Sequence, residues 1–217
     1  MTARNGGSSQ AESALRRSLQ RAAHTRLLSL ILEPPRPGRQ AALRAFVEGT
    51  PIDLGIDLSP LLDGDDGTVA EEHFSLLGVR GPISCHASDH RDEGFADKGP
   101  ILADIAGFYR AFGFEGPIRE APDHFANLCG FLAFLALKEG YAAYLGEVEE
   151  AQVAREAERA LLDTHLHPYL GRFAEQLAGR APARGVYATV AACAAALEPE
   201  EAAAARRGSG EGPREPR

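Results

Sequence analysis

Apolar positions recurring at three- and four-residue steps run through most of this chain. Between residues 11 and 32, Leu15, Leu19, Ala22, Ala23, Leu27, Leu30 and Ile31 fall on one face, which predicts an amphipathic helix. The run Glu33-Pro34-Pro35-Arg36-Pro37-Gly38 ends it, because proline lacks the amide proton that an interior helical position donates. A shorter helix is predicted over Arg39 to Glu48, and another over Thr68 to Leu77 with Thr68 as N-cap and acids at Glu71 and Glu72. Helical spacing resumes at Pro100 and closes on a glycine C-cap at Gly113.

The next segment is different in kind. Pro122 suits a helix start, where its missing N–H would be unsatisfied anyway, and Asp123 complements the positive end of the helix dipole. From Phe125 to Leu137 the sequence is then almost wholly apolar, and the helix is predicted to run from Asp123 to about Leu145. A helix apolar all round is a buried one. A charged helix over Glu147 to Asp163 is predicted to bury Val153, Ala157, Ala160 and Leu161. The following helix, from Thr164 or His165, places Leu166, Leu170, Phe173 and Leu177 on one face, and a last one from Ala183 to Leu197 does so with Val186, Val190 and Leu197.

Strand alternation is not found. The fold class is therefore all-α, a single-domain bundle of seven to nine helices over residues 11–197. Within it, 49–100 is irregular, with Leu54, Ile56, Leu58, Leu61 and Leu62 as anchors and Ser84 to Gly99 read as a mobile polar loop. The polar stretch 1–10 and the Ala-, Gly- and charge-rich stretch 198–217 are expected to be disordered.

Composition narrows function by exclusion. No uninterrupted apolar stretch reaches the ~18 residues of a membrane span, so stable membrane insertion is not expected. Arg16-Arg17 invites a leader reading, but Arg21 and Arg26 follow where an apolar segment would be required, and a cytoplasmic location is expected. Three cysteines, Cys85, Cys129 and Cys193, with no C-x-x-C pair, argue against a disulfide framework or a cysteine zinc site. The net charge of −8 is uneven: residues 1–44 carry eight Arg against two Glu, whereas 53–97 carry eleven acids against two Arg. Residues 120–163 add nine acids against three bases. Such a surface disfavours nucleic acid and suits a basic peptide.

No phosphate-binding glycine loop, G-x-S-x-G or H-E-x-x-H is present, and the order Asp123-His124 reverses the metal pair of HD-type phosphohydrolases. Enzyme activity, a cofactor and a metal are accordingly not expected. The cluster Cys85-His86-Ala87-Ser88-Asp89-His90, with His73 upstream, has metal-binding residue types but no paired ligand spacing. A small metal-dependent hydrolase using His73, His86, His90 and His124 is the alternative from another class. His165-Leu166-His167-Pro168 marks a helix junction, where a histidine caps or packs.

Three blocks in order resemble the TorD/DmsD/NarJ family of molybdoenzyme maturation chaperones. They are Leu102 to Gly113, Pro122-Asp123-His124 with its apolar helix through Glu139, and Leu161 to Leu170 around Asp163-Thr164-His165-Leu166. Two features depart from the family: Asn127 stands where a glutamate is frequent, and Pro82 to His90 replaces a loop that in many members reads Pro-x-Tyr-Glu-x-x-Tyr. The resemblance implies a TorD-like fold and a chaperone that binds the twin-arginine signal peptide and apo form of a molybdopterin oxidoreductase, as monomer or homodimer. It would assist cofactor insertion and prevent premature export. A NarJ-like assembly factor for a cytoplasmic catalytic subunit is the alternative within the family. The peptide site so implied comprises Asp123, His124, Glu120, Tyr109, Phe112, Phe125, Asn127 and His165. Asp123 and Glu120 would pair with arginines on an exposed rim, and Tyr109, Phe112 and Phe125 would meet the apolar part of the peptide.

Overall fold

Everything is arranged around one helix. In the computed structural model, which describes residues 5–51, 56–90, 97–182 and 185–197, α6 (Phe125–Leu145) is the core. Its side chains from Phe125 through Ala133 are all buried. At 21 residues it is long and apolar enough, by composition alone, to cross a bilayer, but 61% of its most apolar window is buried inside the protein. α1 (Asn5–Leu32) lies antiparallel along it, and reaches back to Asn5, into the stretch 1–10 expected to be disordered. The two helices come so close that a Cβ on Gly140 would stand 2.9 Å from the Cβ of Ser18, closer than real side chains approach. A glycine is required there.

Charge locks this layer. Arg21 of α1 donates from Nε to Glu158 Oε1 at 3.1 Å and reaches Glu139 with Nη2, while Arg155 donates to Glu139 Oε1 at 2.9 Å. Both glutamates are buried, and each has an arginine partner, which is the condition under which buried charge is tolerated. Glu158 sits on α7 (Val148–Leu161), whose buried face is Ala151, Ala154, Glu158 and Leu161. The expected inward Val153 is instead 56% exposed. A π-helical segment, Leu162–Leu166, joins α7 to α8 (His167–Ala178). On α8, Leu170, Phe173 and Leu177 are buried together with Leu166, as the periodicity predicts.

The remaining elements close the ends. α2 (Arg39–Gly49) begins with a buried arginine whose Nε donates to Leu30 O at 3.3 Å and whose Nη2 reaches Ile31 O. A guanidinium at the C-terminus of α1 complements its dipole. α3 (Ser59–Asp63), inside the stretch expected to be irregular, and α4 (Asp66–Leu77) follow. The N-cap of α4 is Asp65, accepting from Gly67 and Thr68, not Thr68 itself. His73 of α4 pairs with Tyr187 Oη at 2.5 Å on α9 (Val186–Leu197), and burial beside Arg39 lowers its pKa to about 4. α5 (Gly99–Phe112) ends on Gly113 at φ 62°, as expected. Leu54 and the tail 198–217 lie outside the described residues.

Aromatic side chains tie α5 to α6. Phe131 has Tyr109 at 4.9 Å, Phe112 at 5.9 Å and Phe114 at 5.0 Å between ring centroids. Phe131→Ala is expected to lower stability by about 3–5 kcal/mol in urea unfolding, since the fully buried site cannot collapse around the loss.

Candidate functional site

Two chain segments meet at the start of α6. Ile83, Cys85 and Ala87 turn inward while Ser84 and His86 are only half-buried, so a short two-residue alternation does exist here. It pairs with the residues before α6 through Ala87 N to Asp123 O at 3.0 Å and Phe125 N to Cys85 O at 2.8 Å. The result is one antiparallel bridge, His86 against His124, followed by a 3-10 turn at Ala87–His90. This corrects the expectation of a mobile loop from Ser84: Cys85, Ala87, Ser88 and His90 are all buried. Residues 91–96 of that loop lie outside the described residues.

Asp123 is the hub. It was expected on an exposed rim within the helix's first turn; it is 1% exposed and precedes the helix. Its Oδ2 accepts from Ser88 Oγ at 2.6 Å and Ser88 N at 3.2 Å, and its Oδ1 lies 3.1 Å from His86 Nδ1. Burial alone would raise this carboxyl, but the hydrogen bonds from His86 and Ser88 outweigh it and hold it below its ordinary range. The bond to Asp123 raises His86 in turn. The two form an ion pair with one half-exposed member.

His124 is the N-cap of α6. Its Nδ1 accepts from Ala126 N at 3.1 Å, a role usually taken by Ser, Thr, Asp or Asn. Burial and the neighbouring His86, whose ring lies edge-on at 5.2 Å, lower it to about 4, so it stays neutral with the proton on Nε2.

The other members of the expected site are distributed as follows. Asn127 is buried and clasps the preceding loop: its amide donates to Glu120 O and Ala121 O, and its oxygen accepts from Ile118 N. A Cβ on Gly116 would lie 2.6 Å from that oxygen, so a larger residue there would displace the Asn127 side chain. Tyr109 donates to Pro122 O at 2.8 Å, with its ring packed inside. Phe125 is fully buried against Phe173 at 4.4 Å. Glu120 is exposed, in the loop before α6, and Phe112 is half-buried at the end of α5. His165 is buried on the π segment and bonds Asp104 of α5 through Nε2 at 2.6 Å. Thus Asp123, His124, Asn127 and Tyr109 are brought together as one frame, while Phe112 and His165 stand apart.

Sequence reasoning missed His86 and Ser88 as the partners of Asp123. The signal available was the Ile83, Cys85, Ala87 alternation, only five residues long. His90, the remaining histidine of the loop, bonds Ser84 O at 2.8 Å and packs on Phe125 and Phe173. Of the four histidines of the hydrolase alternative, His86 and His124 meet edge-on, but among the described residues no group of three or more His, Cys, Asp and Glu is placed to hold a metal. All three cysteines are free and buried, with burial pushing each thiol up to about 12.

An all-α bundle built on a central apolar helix is the fold class that the maturation-chaperone resemblance implied. The family described as the nitrate reductase delta subunit matches residues 40–175, and the chain belongs to that family. The matched span contains all three blocks that carried the resemblance. The chain is also similar to a selenate reductase assembly chaperone protein of Thauera selenatis, 31% identical over 106 residues, or 48% of this chain and 53% of that protein. It thus matches about half the length of that relative. No solved structure matches the chain.

Asp123→Ala is expected to lower stability by about 2–3 kcal/mol in urea unfolding, because two donors from Ser88 and one from His86 lose a charged acceptor. The pair also carries a pH signature. A lowered carboxyl stabilises above its ordinary value of 3.8 and a raised imidazole below its ordinary 6.5. Stability from the pair is therefore complete between those values, and is lost as acid protonates Asp123 or as base deprotonates His86. Asp123→Asn should flatten the alkaline limb of a stability-against-pH curve.

Proposed function

We propose that this chain is a cytoplasmic chaperone for the catalytic subunit of a molybdopterin oxidoreductase. In this reading it binds the subunit's twin-arginine signal peptide and its apo form, assists cofactor insertion and prevents premature export, acting as a monomer or homodimer. The observation that carries the reading is the family match across residues 40–175, which spans α2 to α8. The similarity to a selenate reductase assembly chaperone supports a client of the oxidoreductase class.

The physical basis is binding by shape and charge, with no bond-making step. Asp123, His124, Asn127, Tyr109 and Phe125 act in this reading as the frame that fixes the start of α6, and His165 fastens the π segment to α5. Of the eight residues expected to meet the peptide, Glu120 and Phe112 are those with surface to offer it. A buried and fully partnered Asp123 would release its carboxylate to an incoming arginine only by giving up its bonds from Ser88 and His86.

The second reading is a NarJ-like assembly factor, attending a catalytic subunit that stays inside the cell and needs no leader; the match to a family described as the nitrate reductase delta subunit supports a client of the reductase kind. Affinity capture from the native cell extract, with the co-purifying proteins identified by mass spectrometry, separates the two. The expected partner is a molybdopterin oxidoreductase subunit that still carries its leader, and that is not retained once the leader is removed. Equal capture of a leaderless form supports the second reading. Capture of no such subunit would falsify both.

A further inference from the structure

Large apolar side chains are exposed in one place far more than elsewhere. Nine lie exposed among the described residues, and six of them fall between Leu137 and Val153, at the corner where α6 turns into α7. Tyr141 is 65% exposed, Tyr144 61% and Val148 75%, values at which burial in the core contributes nothing to keeping them. Apolar patches of this kind on a single chain mark places where another molecule sits.

The corner also has shape and sign. A groove of about 470 Å³ opens between the end of α5, the last turns of α6 and the start of α7. Phe112, Tyr141 and Val153 give it apolar walls, and Glu147, Glu149 and Glu150 line it with carboxylates. Lys138 is the one cation among its lining residues, and its ammonium is held 5.1 Å over the Phe134 ring. Glu149 and Glu150 stand in the first turn of α7, where acids favour the helix dipole, so their presence alone has a local explanation. The exposed aromatic and aliphatic walls beside them have none.

We infer that this groove is a docking surface for a peptide segment in which paired cationic side chains adjoin an apolar run. Guanidinium groups match carboxylates in a planar fork, and the apolar run covers Phe112, Tyr141 and Val153. Exposed charge pairs each contribute little, so the apolar walls supply affinity while the carboxylates set orientation and register. The occupant is the leader of the client, and the inference therefore rests on the first reading of function. It moves the acidic rim from Asp123, which is buried, to the far end of α6. Phe112 is the residue common to both placements.

Calorimetry of the full chain with a synthetic peptide, two adjacent arginines followed by a leucine-rich run, tests this. The unmodified protein is expected to bind it. Replacing Glu147→Gln, Glu149→Gln and Glu150→Gln together should weaken binding about tenfold at low salt, through loss of the exposed pairs made by the two arginines, with a smaller loss at high salt. Tyr141→Ser should weaken it at either salt. All four side chains are exposed, and unchanged thermal midpoints confirm that the variants fold. Binding by the variants equal to that of the unmodified protein, or no binding by the latter, overturns the groove assignment. The chaperone reading falls separately, on the client capture described above, which the unmodified protein passes or fails whatever the groove does.

Discussion

A helix that is apolar on every side must be wrapped, and the wrapping of α6 by α1, α7 and the aromatic end of α5 is the constraint from which the rest of this molecule follows. Close contact with α1 demands small residues where the backbones approach, and Gly140 supplies one. Wrapping also leaves no lateral face on which α6 can present chemistry over most of its length. Only its two ends remain. At the first, Asp123 and His124 tie the incoming chain to the Ile83–His90 segment; at the second, Tyr141 and Tyr144 emerge beside the acids of α7.

Charge follows the same geometry. Glu139 and Glu158 are buried because α6 and α7 are packed tightly, and both are matched by arginines reaching in from α1 and α7. Asp123 is likewise inside, held by a hydroxyl, an amide and an imidazole. The acids left at the surface near α6 include those at the α7 corner, Glu115 and Glu120. The separation between structural and available carboxylates is thus an outcome of packing, and the sequence motif does not reveal it.

Helices with a clean apolar stripe were readable in the sequence. α8 shows this well, since Leu166, Leu170, Phe173 and Leu177 are sufficient to define its face without reference to any other element. On α7, Leu161 and Ala157 pack on the core as their spacing predicts, whereas Val153 does not; Glu158 shares the buried face because its partner Arg21 lies 137 residues away, and no local pattern announces such a partner. The Ser84–His90 segment was read as mobile for the same reason: its polar groups are satisfied by Asp123, 35 residues on from Ser88. The start of α6 slipped by two residues because histidine serves as its cap, outside the usual set. At the candidate site, residue identity was legible and exposure was not, because exposure depends on which distant segment lies on top.

The π-helical stretch Leu162–Leu166 has a further consequence. It takes up one more residue than an α-helical turn would, within five positions, so that α7 and α8 follow one another without a break. His165 reaches Asp104 from this wide turn, while Leu166 and the Leu170, Phe173 and Leu177 face of α8 stay inside. Without the extra residue the junction would close to regular helix and the bulge that carries His165 to α5 would be lost.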